Sequence, residues 1–143
     1  MTLPAVLDAR VALIAESFER LLGRQLVDGP DVVEALWNAP QAVVAHGIED
    51  DPVFFFGNRA ALAAFETTFE EFTHLPSRLS AEAPLRGERQ ALLDRVSTHG
   101  FIDDYAGIRI SAKGRRFRIE NAVVWNLIDE AGARRGQAAT FAV

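Results

Sequence analysis

One histidine stands close to several carboxylates in the first third of the sequence. His46 is followed by Glu49, Asp50 and Asp51 and then by Pro52. A histidine with carboxylates can bind a divalent cation or exchange protons with a substrate. However, Asp-Asp-Pro between two apolar segments is also typical of a turn, and short motifs of this kind often occur by chance. The sequence therefore predicts no metal site, and His46 and Asp50 are the residues to examine for one.

Two amide side chains fall in apolar rows of predicted strands near the end of the sequence. Asn121 is in the same row as Trp125, and Gln137 shares a row with Phe141. Side chains two residues apart lie on the same face of a strand, so both amides are expected to point toward the core. A buried amide without a hydrogen-bond partner costs roughly 1–3 kcal/mol. Backbone groups, buried water or a planar heterocyclic ligand would each supply that partner.

Three further polar side chains could line such a binding site. Asn58 directly follows a predicted strand, and it is a good N-cap for a helix that begins at Arg59. Tyr105 could close a pocket with its hydroxyl group or lie at the sheet edge, and Arg109 could bind an anion or stay solvated. The candidate ligand-binding residues are therefore Asn58, Tyr105, Arg109, Asn121, Trp125 and Gln137.

These side chains need a sheet and a helical layer to position them. Apolar spacing predicts two N-terminal helices, short strands at 41–46 and 53–56, and helical segments that end with a long helix at about 82–98. Alternation then predicts strands at about 105–111, 116–128 and 135–143. This order favours one five-stranded antiparallel sheet with helices on one face, preceded by the N-terminal amphipathic helices, which is an α+β fold.

The first predicted helix carries a narrow apolar seam. Its apolar residues are alternately four and three positions apart, and they are Leu7, Val11, Ile14, Phe18 and Leu21. Such spacing is typical of a helix that packs along one line of contact, either on its own sheet or on the same helix of a second copy. We predict the second arrangement, a homodimer whose interface contains these residues.

The composition excludes several classes of function. The chain has 143 residues, 49% of them hydrophobic, and a net charge of −5, which suits one globular domain. An acidic chain is a poor match for nucleic acid or an anionic membrane, and no run approaches the ~20 apolar residues of a membrane span. The absence of cysteine excludes disulfides and thiolate chemistry. We therefore expect a cytoplasmic protein that binds neither nucleic acid nor membranes.

The middle of the sequence carries a family pattern. The segment 53–62, VFFFGNRAAL, resembles the PAS signature, in which an apolar strand leads to Asn and then to Ala-Ala-Leu. A closer resemblance is to the MEKHLA domain, a PAS-like family, over roughly residues 10–143. The segments that carry it are 46–52, 58–62, 75–78, 88–89, 105–111, 114–117, 122–126 and 136–139.

This resemblance implies a fold and a role. It implies a PAS-like sensory or signalling module of the stand-alone bacterial type, with a helical flank at 1–40 and a core at 41–143. A small or planar ligand would be held noncovalently, since the chain has no cysteine for the flavin adduct of light-sensing relatives. The implied partners are a second copy and an unknown signalling protein. No enzymatic reaction is attached to the family.

Two other functions stay open from the sequence. The first is a ligand-free interaction domain whose interior is filled by aromatic rings, which the 10 phenylalanines of the chain would supply. The second is a small enzyme of the SnoaL-like or ketosteroid-isomerase-like cone class, for which His46 and Asp51 would be the acid–base pair. The order of the strands separates the cone fold from the PAS-like fold.

Overall fold

Short capped helices surround the sheet in the computed structural model, which describes residues 10–80 and 86–143. The helices are α1 (Arg10–Leu22), α2 (Val32–Asn38), α3 (Arg59–Phe65), α4 (Phe69–Phe72), a 3-10 helix at Ser77–Ser80 and α5 (Arg86–His99). Asp31, Asn58 and Thr68 cap α2, α3 and α4 by accepting hydrogen bonds from first-turn N–H groups. The predicted start of α5 at about 82 lies outside the described residues. None of the described helices is long and apolar enough to span a membrane.

Within the described residues, five strands form one antiparallel sheet, as the sequence predicted. The strands are β1 (Ala42–His46), β2 (Phe54–Gly57), β3 (Phe101–Ile110), β4 (Arg116–Ile128) and β5 (Arg134–Phe141). They lie in the order β2-β1-β5-β4-β3, and every neighbouring pair is antiparallel. β3 begins at Phe101, earlier than predicted, because its first residues already pair with β4. The first and last of these strands in the sequence thus meet at the centre of the sheet.

Helices α1 and α5 cover opposite faces of this sheet. On β4, the indole Nε1–H of Trp125 donates to the Ile14 carbonyl of α1 at 3.0 Å. The Phe18 ring of α1 meets the same indole edge-on, with 4.9 Å between ring centroids. The side chain of the next residue, Asn126, donates to the Val96 carbonyl of α5 at 3.2 Å. Because neighbouring side chains on a strand point to opposite faces, α1 lies on the face opposite to α5.

The apolar seam of α1 is buried within the single chain. Val11, Ile14 and Phe18 are 1%, 0% and 0% exposed. Leu21 is half-buried against the same core, and Leu7 lies outside the described residues. Val11, Ile14 and Phe18 therefore cannot contact a second copy while α1 stays in place, because the protein's own sheet covers them. A homodimer needs another surface or the release of α1, and it stays a prediction.

A β-bulge at Asn121 interrupts the alternation of β4. The φ angle of Asn121 is 52°, in the left-handed region, and its side chain is exposed. Tyr105 pairs with Ala122, and Gly107 pairs with Ile119. Between these two pairs, β4 therefore contains one residue more than β3. An inserted residue moves every later side chain of the strand to the other face.

The bulge overturns the predicted orientation of two candidate ligand residues. The sequence placed Asn121 and Trp125 in one inward row, but Asn121 is exposed and Trp125 faces α1. Asn126 faces the side of the sheet that α5 covers, where those two side chains were expected. The prediction failed because strict alternation does not anticipate an extra residue in the middle of a strand.

The bulge predicts opposite preferences for glycine at two neighbouring positions. Asn121→Val should lower the free energy of unfolding by about 1–2 kcal/mol, because β-branched residues rarely adopt a positive φ, whereas Asn121→Gly should change it by less than about 0.5 kcal/mol. At Glu120, an exposed strand residue, Val should be tolerated better than Gly. Urea denaturation of the four variants measures this order. The same order at both positions would contradict the bulge.

Candidate functional site

A cavity of about 60 Å³ lies between the sheet and the helical layer that contains α3, the 3-10 helix and α5. Its polar lining includes His46, Ser77, Ser80, Tyr105, Arg109 and Gln137. Its apolar lining includes Phe65, Leu92, Ile119, Val124 and Phe141. Three of the predicted ligand residues, Tyr105, Arg109 and Gln137, therefore come together at one cavity.

Tyr105 and Arg109 form a pair on β3. Arg109 Nη2 donates to the Tyr105 hydroxyl at 2.7 Å. The guanidinium carbon lies 5.2 Å from the centroid of the Tyr105 ring, within the range of a cation–π interaction. Burial lowers the pKa of the Arg109 guanidinium, although the charge interaction and the hydrogen bond with Tyr105 raise it. An arginine in a protein stays protonated, so the cavity has a positively charged end.

An amide pair lies on the two strands next to β3. Gln137 is 2% exposed, and its Nε2 donates to the side-chain oxygen of Asn126 at 3.2 Å. The two residues are direct partners in the register between β4 and β5. Asn126 is also held by α5, since it donates to the Val96 carbonyl. No hydrogen bond within the described residues engages Gln137 Oε1.

Sequence reasoning missed Asn126 because it assigned the inward row to Asn121. The consecutive polar residues Glu120 and Asn121 in an otherwise alternating strand were a signal for the missing shift. Asn is also enriched at positive φ, as a bulge of this kind requires. A bulge assigned at Asn121 would have predicted that Asn126 belongs to the inward row.

Asn58 holds the fold together and does not line the cavity. Its side chain is fully buried. The Oδ1 atom accepts from the N–H groups of Val43 and Ala61, each at 3.0 Å, and the Nδ2 atom donates to the carbonyls of Leu36 and Gln41 at 3.0 and 2.9 Å. These bonds use the full capacity of an amide. The predicted ligand-binding role is therefore wrong, whereas Asn58 does cap α3.

His46 belongs to the cavity, whereas the acidic residues after it belong to the surface. His46 is 7% exposed, and its Nδ1 lies 3.0 Å from the Gly47 carbonyl oxygen. Asp50 and Asp51 are exposed, and Asp51 pairs with Arg78 at 3.1 Å. The part of the chain that the structure describes contains no group of three His, Cys, Asp or Glu side chains placed to hold a metal ion.

The cavity is small because aromatic rings fill much of the helical layer. Phe54 stacks on Phe72 with 4.2 Å between centroids, and Phe65 packs against Phe72 and Phe117 at 5.5 and 5.2 Å. Ligand pockets usually enclose roughly 300–1,000 Å³. The volume of about 60 Å³ has room for roughly five water-sized groups. A ligand of a few atoms fits this space, whereas a flavin ring requires the side chains to repack.

The sequence has relatives among known families and curated proteins. The family profile that matches is the MEKHLA domain, over residues 8–143. The homeobox-leucine zipper protein HOX29 of Oryza sativa subsp. indica is 25% identical over 126 residues, which cover 83% of this chain and 15% of HOX29. The chain thus spans a small part of that relative. HOX29 is a plant protein, so it does not bear out the expectation of a stand-alone bacterial type.

Solved structures share the fold. The PAS domain of a protein from Colwellia psychrerythraea matches with a TM-score of 0.64 at 13% identity, covering 76% of this chain and 89% of that domain. The light-state dimer of the fungal blue-light photoreceptor Vivid matches with a TM-score of 0.66 at 13% identity, covering 100% of this chain and 99% of that one. At such identities the likeness concerns the fold alone. It confirms the predicted PAS-like fold, so the alternative of a cone fold is wrong.

The hydrogen bonds of Asn58 predict a large loss of stability on truncation. Asn58→Ala should lower the free energy of unfolding by at least about 3 kcal/mol, because it leaves buried backbone groups without partners. Asn38→Ala is the matched control. The exposed Asn38 amide donates to the Glu34 carbonyl and accepts from Arg59, so its loss should cost less than about 1 kcal/mol. Urea unfolding followed by circular dichroism measures both losses, and equal losses would contradict this role of Asn58.

Proposed function

Because the chain belongs to the MEKHLA domain family, as its motifs predicted, we propose that it is a PAS-like sensory module that binds a small ligand noncovalently. The ligand occupies the cavity between the sheet and the helical layer. Its arrival is passed to a second copy of the chain or to an unidentified signalling protein. No cysteinyl adduct can hold the ligand, since the chain has no cysteine. The role requires no enzymatic reaction.

The polar lining of the cavity carries this proposal. Buried polar groups are normally satisfied within the protein. Here the Arg109 guanidinium has the Tyr105 hydroxyl as its hydrogen-bond partner among the described residues, and Gln137 Oε1 has none. A ligand that accepts hydrogen bonds from the Arg109 guanidinium would supply partners that the described residues do not.

Strand β4 offers a route from the cavity to α1. Asn126 bonds to Gln137 on the cavity side, and its neighbour Trp125 holds α1 through the Ile14 carbonyl. A ligand that moves Gln137 displaces Asn126, and the adjoining backbone turns Trp125 on the other face. Loosening of α1 then uncovers its apolar seam, and an exposed apolar surface favours association with a partner.

Trp125→Phe tests this route. The variant removes the hydrogen bond to Ile14, worth about 1 kcal/mol, so amide hydrogen exchange within α1 should become roughly five times faster. Trp37→Phe is the matched control, because the buried Trp37 indole N–H has no hydrogen-bond partner in the part of the chain that the structure describes. Hydrogen-exchange mass spectrometry compares the two variants. Equal exchange of α1 in both would contradict the route.

A ligand-free interaction domain is the second candidate function. The observation that favours it is the ring cluster around Phe65 and Phe72, which leaves a cavity of only about 60 Å³. Protein interiors contain a few voids of this kind without any function. In this alternative, the fold presents a surface to its partner, and the space beside Arg109 holds solvent.

Native mass spectrometry of the freshly purified chain separates the two functions. A ligand-binding module should carry an added mass that is released on unfolding, and an absorption spectrum shows whether the ligand is a chromophore. Ala139 lines the cavity, so Ala139→Val should reduce the added mass by filling the space. Ala106→Val is the control, because it adds the same atoms at an exposed position of β3.

The opposite result would favour the ligand-free domain. In that case the unaltered chain shows the mass of the polypeptide alone. Ala139→Val then raises the unfolding temperature, because it fills a packing defect, whereas Ala106→Val leaves that temperature nearly unchanged.

A further inference from the structure

Among the side chains that the structure describes, none supplies a counter-charge to Arg109. Its guanidinium lines the cavity, and the Tyr105 hydroxyl is its hydrogen-bond partner. Ion pairs do engage other arginines of the described chain, among them Arg78, Arg95, Arg115, Arg118 and Arg135. Arg109 is half-buried, and this burial lowers the pKa of its guanidinium. The cavity therefore holds a positive charge that the described fold does not neutralise.

Most of the hydrogen-bonding capacity of this cation is also unused by the described residues. A guanidinium has five N–H donors in a planar fork, and the hydrogen bond to Tyr105 uses Nη2 alone. The Tyr105 hydroxyl accepts that bond, so its own hydrogen is free to serve a second acceptor. Donors from both side chains thus lie at the same end of the cavity. A planar fork of this kind matches the two oxygens of a carboxylate.

Much of the remaining wall is apolar. It includes Phe65, Leu92, Ile119, Val124 and Phe141. Such a wall favours hydrocarbon, and it disfavours a group with two charges because that group loses its hydration there. The matching ligand has one negative charge at one end and a short hydrocarbon tail at the other.

We propose that the cavity binds a small monocarboxylate of about four to six non-hydrogen atoms. Arg109 and Tyr105 hold its carboxylate, and its hydrocarbon end lies against Phe65 and Phe141. The inference rests on the proposed function, since it requires the cavity to be a ligand site, and it adds the chemical class of that ligand. Arg109 is then the residue that determines specificity for the negative charge.

Titration of the full chain with butyrate, butyramide and inorganic phosphate tests this inference. Butyramide has the size of butyrate without its charge, and phosphate has the charge without the tail. Butyrate should bind at least tenfold more tightly than either of the other two. Isothermal titration calorimetry gives the affinities. Two-dimensional NMR should place the response at the side-chain amide of Gln137 and at Nε of Arg109.

Two arginine variants locate the charge requirement. Arg109→Gln keeps hydrogen-bond donors but removes the charge, so it should weaken butyrate binding at least tenfold. Arg118→Gln is the control, because Arg118 is an exposed arginine on β4 that pairs with Glu120 at 2.8 Å, and it should leave the affinity unchanged. If Arg109→Gln does not fold, the comparison of butyrate with butyramide on the unaltered chain decides the question.

Four outcomes would overturn the inference. Equal affinity for butyrate and butyramide would leave the cavity as a ligand site but remove its preference for an anion. Tighter binding of phosphate would exclude the monocarboxylate. Butyrate binding that survives Arg109→Gln, or that never moves the Gln137 amide, would place the anion elsewhere on the protein. Each of these results is separate from the added mass in native spectra, which decides the proposed function by itself.

Discussion

The buried side chain of Asn58 determines how the helical layer meets the sheet. Its amide bonds to backbone groups of Leu36, Gln41, Val43 and Ala61. Those groups belong to the end of α2, the entry to β1, the strand itself and the first turn of α3. The four bonds use the full capacity of the amide, and together they connect these segments to one another. The cavity exists where it does because α3 starts from this fixed point.

Strand β4 lets one sheet carry two different surfaces. Up to the bulge at Asn121 the inward row continues through Ile119, and beyond it the row passes to Val124 and Asn126. The side chains that alternate with them, which include Trp125, face α1. Beyond the bulge, β4 therefore presents Asn126 to the cavity on one face and Trp125 to α1 on the other face. Any event at one surface is separated from the other by the thickness of a single strand.

Much of this architecture could be predicted from the sequence. The features that could not be predicted share one cause. Apolar spacing gave the helices and the five strands, and the position of Asn58 gave the start of α3. Tyr105 and Arg109 share a face because they are four residues apart on β3 and the extra residue of this stretch lies on β4. The inward amide was misplaced because one residue in the left-handed region changes the phase of a row without changing its composition. The destination of the seam at Ile14 was misjudged for a related reason, since its spacing fits its own sheet as well as a second helix.

The central position of β1 and β5 has a consequence for how the protein is made. Ala42 pairs with Phe141, so the middle of the sheet closes only after the last strand has left the ribosome. At a synthesis rate of roughly 5–20 residues per second, the hairpin of β1 and β2 waits on the order of 5–20 seconds for that strand. Throughout this interval β1 presents an open row of main-chain hydrogen-bonding groups, to which a neighbouring nascent chain can add a strand. That edge of β1 therefore stays open to other chains until β5 has emerged and paired with it.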